Sequence, residues 1–311
     1  MRISIGLALA AMLACPTFAQ TAFAPPRLAD GHPDLQGYWS SNFATTLERP
    51  AGIVGLIVTD EAVAKKLIEA SNEPEGDVRD PEDDLEILHG TSLLEIDGQF
   101  RSSLIVSPSD GKLPLTLLAK AGRKERAQYF RAGYDNPEER PVGERCIGGP
   151  GDPPALYHGD HYPNHIVQTP AGIMIATEAV HGGRIINMTG QAPPEAVRSR
   201  DGYSAGHWEG DTLVVTTDHL AVFDPGGVQS RDGAPVSGGS RIVERFQLIS
   251  ADAMLYRFTV EDPALYSAPW MAETILNRGK GPAYEFACHE ANYALSNVLL
   301  AARVNRQTAR K

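Results

Sequence analysis

The chain has 311 residues, with 28 Lys and Arg against 39 Asp and Glu and a formal charge of −11. So acidic a chain repels nucleic acid and anionic lipid, which removes both from the candidate partners. Its length suffices to bury a large core, as one elaborated domain or two.

Residues 1–19 read as an export signal. Arg2 is the positive end, Ile5 to Leu13 the apolar core, and Thr17-Phe18-Ala19 a small-x-small-like cleavage site. That core is too short for a permanent membrane span, and no later segment is long and apolar enough for one. Met12-Leu13-Ala14-Cys15 is a poor lipobox, so a lipid anchor is the weaker alternative. A periplasmic or secreted protein beginning near Gln20 is expected. Without Cys15, the cysteines that remain are Cys146 and Cys288. In an oxidising compartment they are expected to form one disulfide, the alternative being two unlinked thiols.

Residues 20–140 read as a strand, helices and loops that pack on the β-rich remainder of the chain. Pro33-Asp34-Leu35-Gln36-Gly37-Tyr38-Trp39 looks like a turn into a first strand. Thr59-Asp60-Glu61 opens a helix carrying Val63, Leu67 and Ile68, since a Thr cap followed by acids suits a helix start. The acidic stretch Glu73 to Asp84 reads as a solvated loop. A second helix is expected over 115–130, with Leu117, Leu118 and the basic run Arg123 to Arg126.

From residue 141 to the end the pattern is β. Short strands are expected at 164–169, 173–180, 184–188, 206–208 and 212–217, then at 242–249, 254–261, 270–277 and 283–290. Gly182-Gly183 is a natural two-residue hairpin joint, and Glu209-Gly210-Asp211 another tight turn. Asn292 begins a terminal helix whose apolar residues Leu295, Val298, Leu299 and Ala302 share one face. About eight or more short strands joined by tight turns favour a closed barrel, which removes exposed edges. The fold class is therefore mainly β, an antiparallel barrel or strongly curved meander with decorating helices and a C-terminal helix. Gly37-x-Trp39 before an antiparallel meander and a late helix resembles the lipocalin-like, or calycin, pattern.

A wider resemblance covers nearly all of the chain after the leader. It is carried by residues 33–39, by Glu144-Arg145-Cys146 before a Gly/Pro loop, by Ile166-Val167-Gln168-Thr169-Pro170 and by Arg184-Ile185-Ile186. It continues through Gly206-His207-Trp208-Glu209-Gly210-Asp211-Thr212-Leu213-Val214-Val215, Glu244-Arg245-Phe246, Asp262-Pro263 and Ala287-Cys288-His289-Glu290. In this motif order the chain resembles a large family of secreted bacterial proteins of proteobacteria and acidobacteria. The resemblance implies export but no activity. The His-rich run Tyr157 to His165 departs from it, where amides and aromatics are expected.

Two strands carry a carboxylate on their apolar side. In residues 241–248 the row Ile242, Phe246 and Leu248 includes Glu244, and in residues 284–290 the row Tyr284, Phe286 and Cys288 ends in Glu290. Strand side chains alternate between faces, so such a carboxylate points where the aromatics point. Unpaired burial is costly, so the group is paired, protonated or beside a wet cavity. For Glu244 the alternatives are a buried ion pair with an Arg from another strand and a catalytic or ligand-binding role. Arg245 and His289 fall on the opposite faces.

His181 and Arg184 flank the Gly182-Gly183 joint and form a possible proton-transfer pair, against the plainer reading of a hairpin tip in water. His158, His161 and His165 recur at three and four residues, a metal-like spacing on a helix. Pro153, Pro154 and Pro163 oppose that helix, so no metal is expected, and His165 at a strand entrance is the candidate to act on substrate. Gly202-Tyr203-Ser204-Ala205-Gly206 matches the Gly-x-Ser-x-Gly elbow without the strand–turn–helix context it needs. Phosphate loops and dinucleotide fingerprints are absent from the sequence, so no cofactor is expected. Trp39, His161, Trp208, Tyr256, Trp270 and Tyr284 are candidates to line a pocket for an aromatic, terpenoid or sugar-derived ring.

These features suggest an exported enzyme doing cofactor-free acid–base chemistry, a lyase or isomerase, on a small organic molecule. The catalytic candidates are Glu244, His181, Arg184, His165, His289 and Glu290. The alternatives are a non-catalytic carrier with the same pocket, and a hydrolase using a loop metal or Ser204.

Overall fold

A computed structural model describes residues 23–71, 90–122, 124, 134–140, 142–147, 152–154, 159–177, 183–222, 228–231, 234–282, 284, 287–290 and 292–309. The expected leader and the acidic loop lie outside these residues. In chain order the strands begin with β1 (Gly37–Ser41), β2 (Ile57–Val58), β3 (Glu95–Ile96), β4 (Gln99–Arg101) and β5 (Ile105–Ser107). They continue with β6 (Gly159–Gln168), β7 (Gly172–Thr177), β8 (Gly183–Asn187), β9 (Tyr203–Glu209) and β10 (Thr212–Asp218). The last are β11 (Val228–Arg231), β12 (Ala234–Ser237), β13 (Arg241–Leu248), β14 (Ala253–Glu261) and β15 (Trp270–Arg278). Helices among the described residues include α1 (Glu61–Ser71) and α2 (Tyr293–Ala309).

Nine of these strands, β1, β6 to β10 and β13 to β15, form a barrel that closes where Trp39 and Ser40 on β1 pair with Arg278 and Asn277 on β15. The mainly β, barrel-forming reading of the sequence is what the structure shows. Neighbouring strands run antiparallel except β8 and β9, which are parallel and meet only at Ile186 with Ser204 and Asn187 with Ala205. That junction was not anticipated. It requires residues 188–202 to return along the barrel as a strap, which Ser199 and Leu220 fasten by an isolated bridge.

The alternation read from residues 241–248 holds. Ile242, Glu244, Phe246 and Leu248 are buried, while Arg241 and Gln247 are exposed. The next strands follow suit with Met254, Tyr256, Phe258 and Val260, then Trp270, Ala272, Thr274 and Leu276. Phe246, Tyr256, Phe258, Trp270 and Tyr266 make a continuous aromatic run, with successive ring centroids 4.8 to 5.8 Å apart. This part of the barrel is therefore filled by its own side chains, as small barrels are. Leu35, Leu47, Leu94, Leu104 and Ile105 belong to the same apolar cluster. The chain before β1 and the segment between β1 and β6 thus pack onto it, beside the small sheet β2-β4-β3.

The registers define two rims. One, the Gly183 rim, holds Ser41, Gly183, Tyr203, Asp218, Arg241, Glu261 and Trp270; the other holds the Glu209–Thr212 turn, where Gly210 has φ +59°. Over β13 to β15 the Gly183 rim is closed by Ala234, Val236, Leu220, Leu265 and Tyr266. Tyr266 donates its hydroxyl to Pro235 O at 2.6 Å, fixing that cover.

Three expectations change. Residues 284 and 287–290 form no strand, because β14 and β1 with β5 already occupy both edges of β15, and a closed barrel leaves no edge for another. Helix α1 is capped by Asp60 rather than Thr59: its Oδ1 accepts from the amides of Ala62 and Val63 at 2.8 and 3.2 Å. Helix α2 does start after Asn292, whose Oδ1 accepts from Leu295 N at 3.2 Å, but of its predicted apolar face only Leu299 is buried, and Val298 is exposed. The second predicted helix is seen as residues 117–122, its remainder lying mostly outside the described residues.

Candidate functional site

The polar centre of the barrel is built from five strands. Glu244 on β13 is fully buried, and Arg184 on β8 nearly so. The guanidinium grips the carboxylate with both amino groups, Nη1 to Oε2 at 2.6 Å and Nη2 to Oε1 at 2.7 Å. Tyr256 on β14 donates its hydroxyl to the same Oε1 at 2.8 Å. On β9 and β10, the Ser204 and Thr217 hydroxyls bond each other at 2.8 Å, and Arg184 Nη1 reaches Thr217 Oγ1 at 3.4 Å.

This geometry decides what Glu244 can do. A carboxylate holding two charged donors and a phenol has most of its acceptor capacity committed. Such a group orients its neighbours firmly, and it takes a proton from another molecule only after Arg184 or Tyr256 moves. A second polar layer lies beside it, toward β6 and β7. There the Thr177 hydroxyl donates to Asn164 Oδ1 at 2.7 Å, and Ser41 Oγ meets Thr274 Oγ1 at 3.2 Å.

The other candidates are dispersed. His165 sits in β6 on the face opposite the buried Asn164 and Ile166, stacked on Tyr38 with centroids 4.4 Å apart. His161 also falls in β6, which begins earlier than expected, but its side chain lies outside the described residues, as do His158 and His181. Trp39 is buried, donates from Nε1 to Leu35 O at 2.9 Å and carries the Arg278 guanidinium 4.3 Å above its ring. Trp208 lies near the opposite rim, stacked on His32 at 4.9 Å. Trp270 is fully buried under the Gly183 rim. Tyr284, His289 and Glu290 are exposed beyond the barrel. Arg245 points outward and pairs with Glu209 at 2.8 Å. Ser204 lies within strand β9 and not on a strand-to-helix turn.

Of the predicted catalytic set, the structure therefore brings together Glu244 and Arg184, and adds Tyr256 from the expected pocket residues. Thr217 and Asn164 were missed as parts of the centre. Each had the signal that exposed Glu244, a polar residue in an apolar row: Thr217 with Leu213 and Val215, Asn164 with Ile166. Among the described residues, His, Cys, Asp and Glu form no group of three that could hold a metal.

Cys146 and Cys288 form a disulfide, with Cα atoms 5.8 Å apart. It anchors the segment after β15 to the loop before β6. Asn292 reinforces it from the α2 cap, donating to Glu144 O at 2.8 Å and to Cys146 Sγ at 3.2 Å. Among the described residues no helix is long and apolar enough to cross a membrane.

Fold and site together define a closed β-barrel with a buried, bidentate Arg–Glu ion pair in its interior. No family model, no curated protein and no solved structure matches the chain.

Proposed function

We propose that this chain is an exported, periplasmic or secreted barrel protein that binds a small organic molecule at the Gly183 rim, between β6 and β9. The observation that carries this reading is the Arg184–Glu244–Tyr256 centre beneath that part of the rim. A barrel that needed only a core is served as well by apolar residues, since a buried ion pair is often no more stabilising than hydrophobic side chains of similar volume. Keeping charge and hydroxyls there suits recognition of a molecule with polar groups. The disulfide, the leader-like first residues and the resemblance to secreted proteins all support export.

In the first reading the protein is a carrier, because the lone pairs of Glu244 are committed. One contact favours the second reading, a cofactor-free lyase or isomerase. The Tyr256 hydroxyl lies 2.8 Å from Glu244, so a ligand that draws Arg184 away leaves a phenol and a carboxylate able to exchange a proton.

Native mass spectrometry of the full-length protein from its own periplasm or culture fluid tests both. A retained small molecule that is lost from the variant Arg184→Met/Glu244→Leu/Tyr256→Phe supports binding at this centre. Conversion of that molecule on incubation without added cofactor selects the enzyme. A retained molecule that the triple variant holds equally well removes the centre from the site.

A further inference from the structure

Four arginines are buried among the described residues, and three have a carboxylate partner: Arg101 with Glu273 at 3.5 Å, Arg140 with Glu144 at 2.6 Å and Arg184 with Glu244 at 2.6 Å. The exception is Arg49, only 5 % exposed, in the loop between β1 and β2. Its Nε donates to Ser102 Oγ at 3.1 Å and its Nη1 to Ser109 O at 2.9 Å, both neutral acceptors. Among the described residues its Nη2 makes no hydrogen bond, and no carboxylate lies within salt-bridge reach.

The acids closest to it in the chain or the loop are turned to other work. Glu48 Oε1 accepts from Leu113 N at 2.9 Å, and Asp110 Oδ1 accepts from Lys112 N at 3.0 Å. The surroundings are built around the guanidinium nonetheless. Gly111, at φ +67°, lies so close that a Cβ there would stand 3.0 Å from Arg49 Cζ, and its carbonyl accepts from Arg49 N at 2.9 Å. Ser102 is held in turn by donating to Gly55 O at 2.7 Å.

An arginine cannot shed its charge by deprotonating, so a buried one without a counter-charge leaves a cation incompletely compensated. A flat fork with one amino group uncommitted suits a small oxyanion. We propose that Arg49 is the cationic centre of a site for a small oxyanion, a carboxylate, phosphate or sulfate group, in the layer outside the barrel. The site is independent of the Arg184–Glu244 centre.

The test is the melting of the full-length protein in acetate, phosphate or sulfate against sodium chloride of the same ionic strength, with calorimetric titration of the same salts. A saturable upward shift is expected, roughly 2–4 °C at about five times Kd. Acetate as the effective salt assigns a carboxylate-bearing ligand, and phosphate or sulfate a tetrahedral one. The shift should vanish in Arg49→Met, weaken in Arg49→Lys and persist in Arg27→Met, which alters only the exposed contacts of Arg27 with Asp211 and Gly31 O. If Arg49→Met does not fold, the titration of the unmodified protein decides, and heat of binding saturating at one equivalent upholds the site. No stabilisation beyond chloride together with no heat of binding, or an equal shift in Arg49→Met, overturns it.

Discussion

Arg184 reaches Glu244 across two intervening strands, and it does so from beside the parallel β8–β9 junction, which is paired only at Ile186 with Ser204 and Asn187 with Ala205. Antiparallel β9 and β10, by contrast, pair along their whole length from Tyr203 to Glu209. The ion pair therefore ties β8 to β13 across a junction whose backbone ladder is as short as that of the β1–β15 closure. Its second effect is to hold the Thr217 and Ser204 hydroxyls in one connected network.

Arg184→Met should leave Glu244 as a buried charge without its partner and destabilise the protein by about 3–5 kcal/mol. Urea unfolding measures the loss, and hydrogen exchange locates it. Exchange should accelerate first at Ile186, Asn187 and Ala205. Adding Glu244→Leu and Tyr256→Phe to that variant should recover most of the stability, because no charge or phenol is then left unpaired. Uniform acceleration over β13 and β14 would remove the junction from the explanation.

Tyr256→Phe alone should be milder. It deletes one charge-assisted bond but leaves Glu244 with both bonds from Arg184, so roughly 1.5–3 kcal/mol is expected. The ring stays packed between Phe246 and Phe258, so near-ultraviolet circular dichroism should change little. A loss as large as that of Arg184→Met would show that the phenol, and not the guanidinium, holds the carboxylate.

The disulfide closes a loop between residues 142 positions apart. Chain-entropy reasoning puts the stabilisation from so long a loop at about 5 kcal/mol as an upper figure. Cys146→Ser/Cys288→Ser should unfold at lower urea than the parent. Non-reduced peptide mapping of the parent should recover the two cysteine peptides as one species. Equal urea midpoints would show that the Asn292 contacts alone hold the end of the chain.

What was legible in the sequence was local. The period of two along residues 241–248 put Glu244 inside and Arg245 outside because strand geometry alone fixes that alternation. The Glu209-Gly210-Asp211 turn was readable from its residues, and the cysteine pairing from the count that remains without the leader. Arg184 was set beside His181, its neighbour in sequence, and the pairing with Glu244 was only one unnamed alternative. The partners stand 60 residues apart on strands that do not touch, and no local pattern encodes such a meeting. The parallel junction was invisible for the same reason. The alternation along residues 283–290 is genuine, yet residues 284 and 287–290 form no strand, because the barrel has no edge left for one. Arg49 is not legible as a site in the sequence, since a single Arg before a Pro carries no periodic signal.

Glu209 offers a pH test on the outer face. Its carboxyl is held below the ordinary value of 4.5, chiefly by the hydrogen bond from Arg245 and next by that from His207. A carboxyl whose folded pKa is depressed contributes stability that is present above the unfolded pKa and is lost as pH falls through the folded one. The contribution should therefore be complete at neutral pH and fade only below about 4.5. The group is exposed, so salt screens it and its effect on melting at neutral pH should be small. Carbon-13 NMR titration of the Glu209 side chain should give a midpoint below the ordinary Glu value, and Arg245→Met should move it upward. An unmoved midpoint would assign the depression to His207. In that case it should respond instead to His207→Gln.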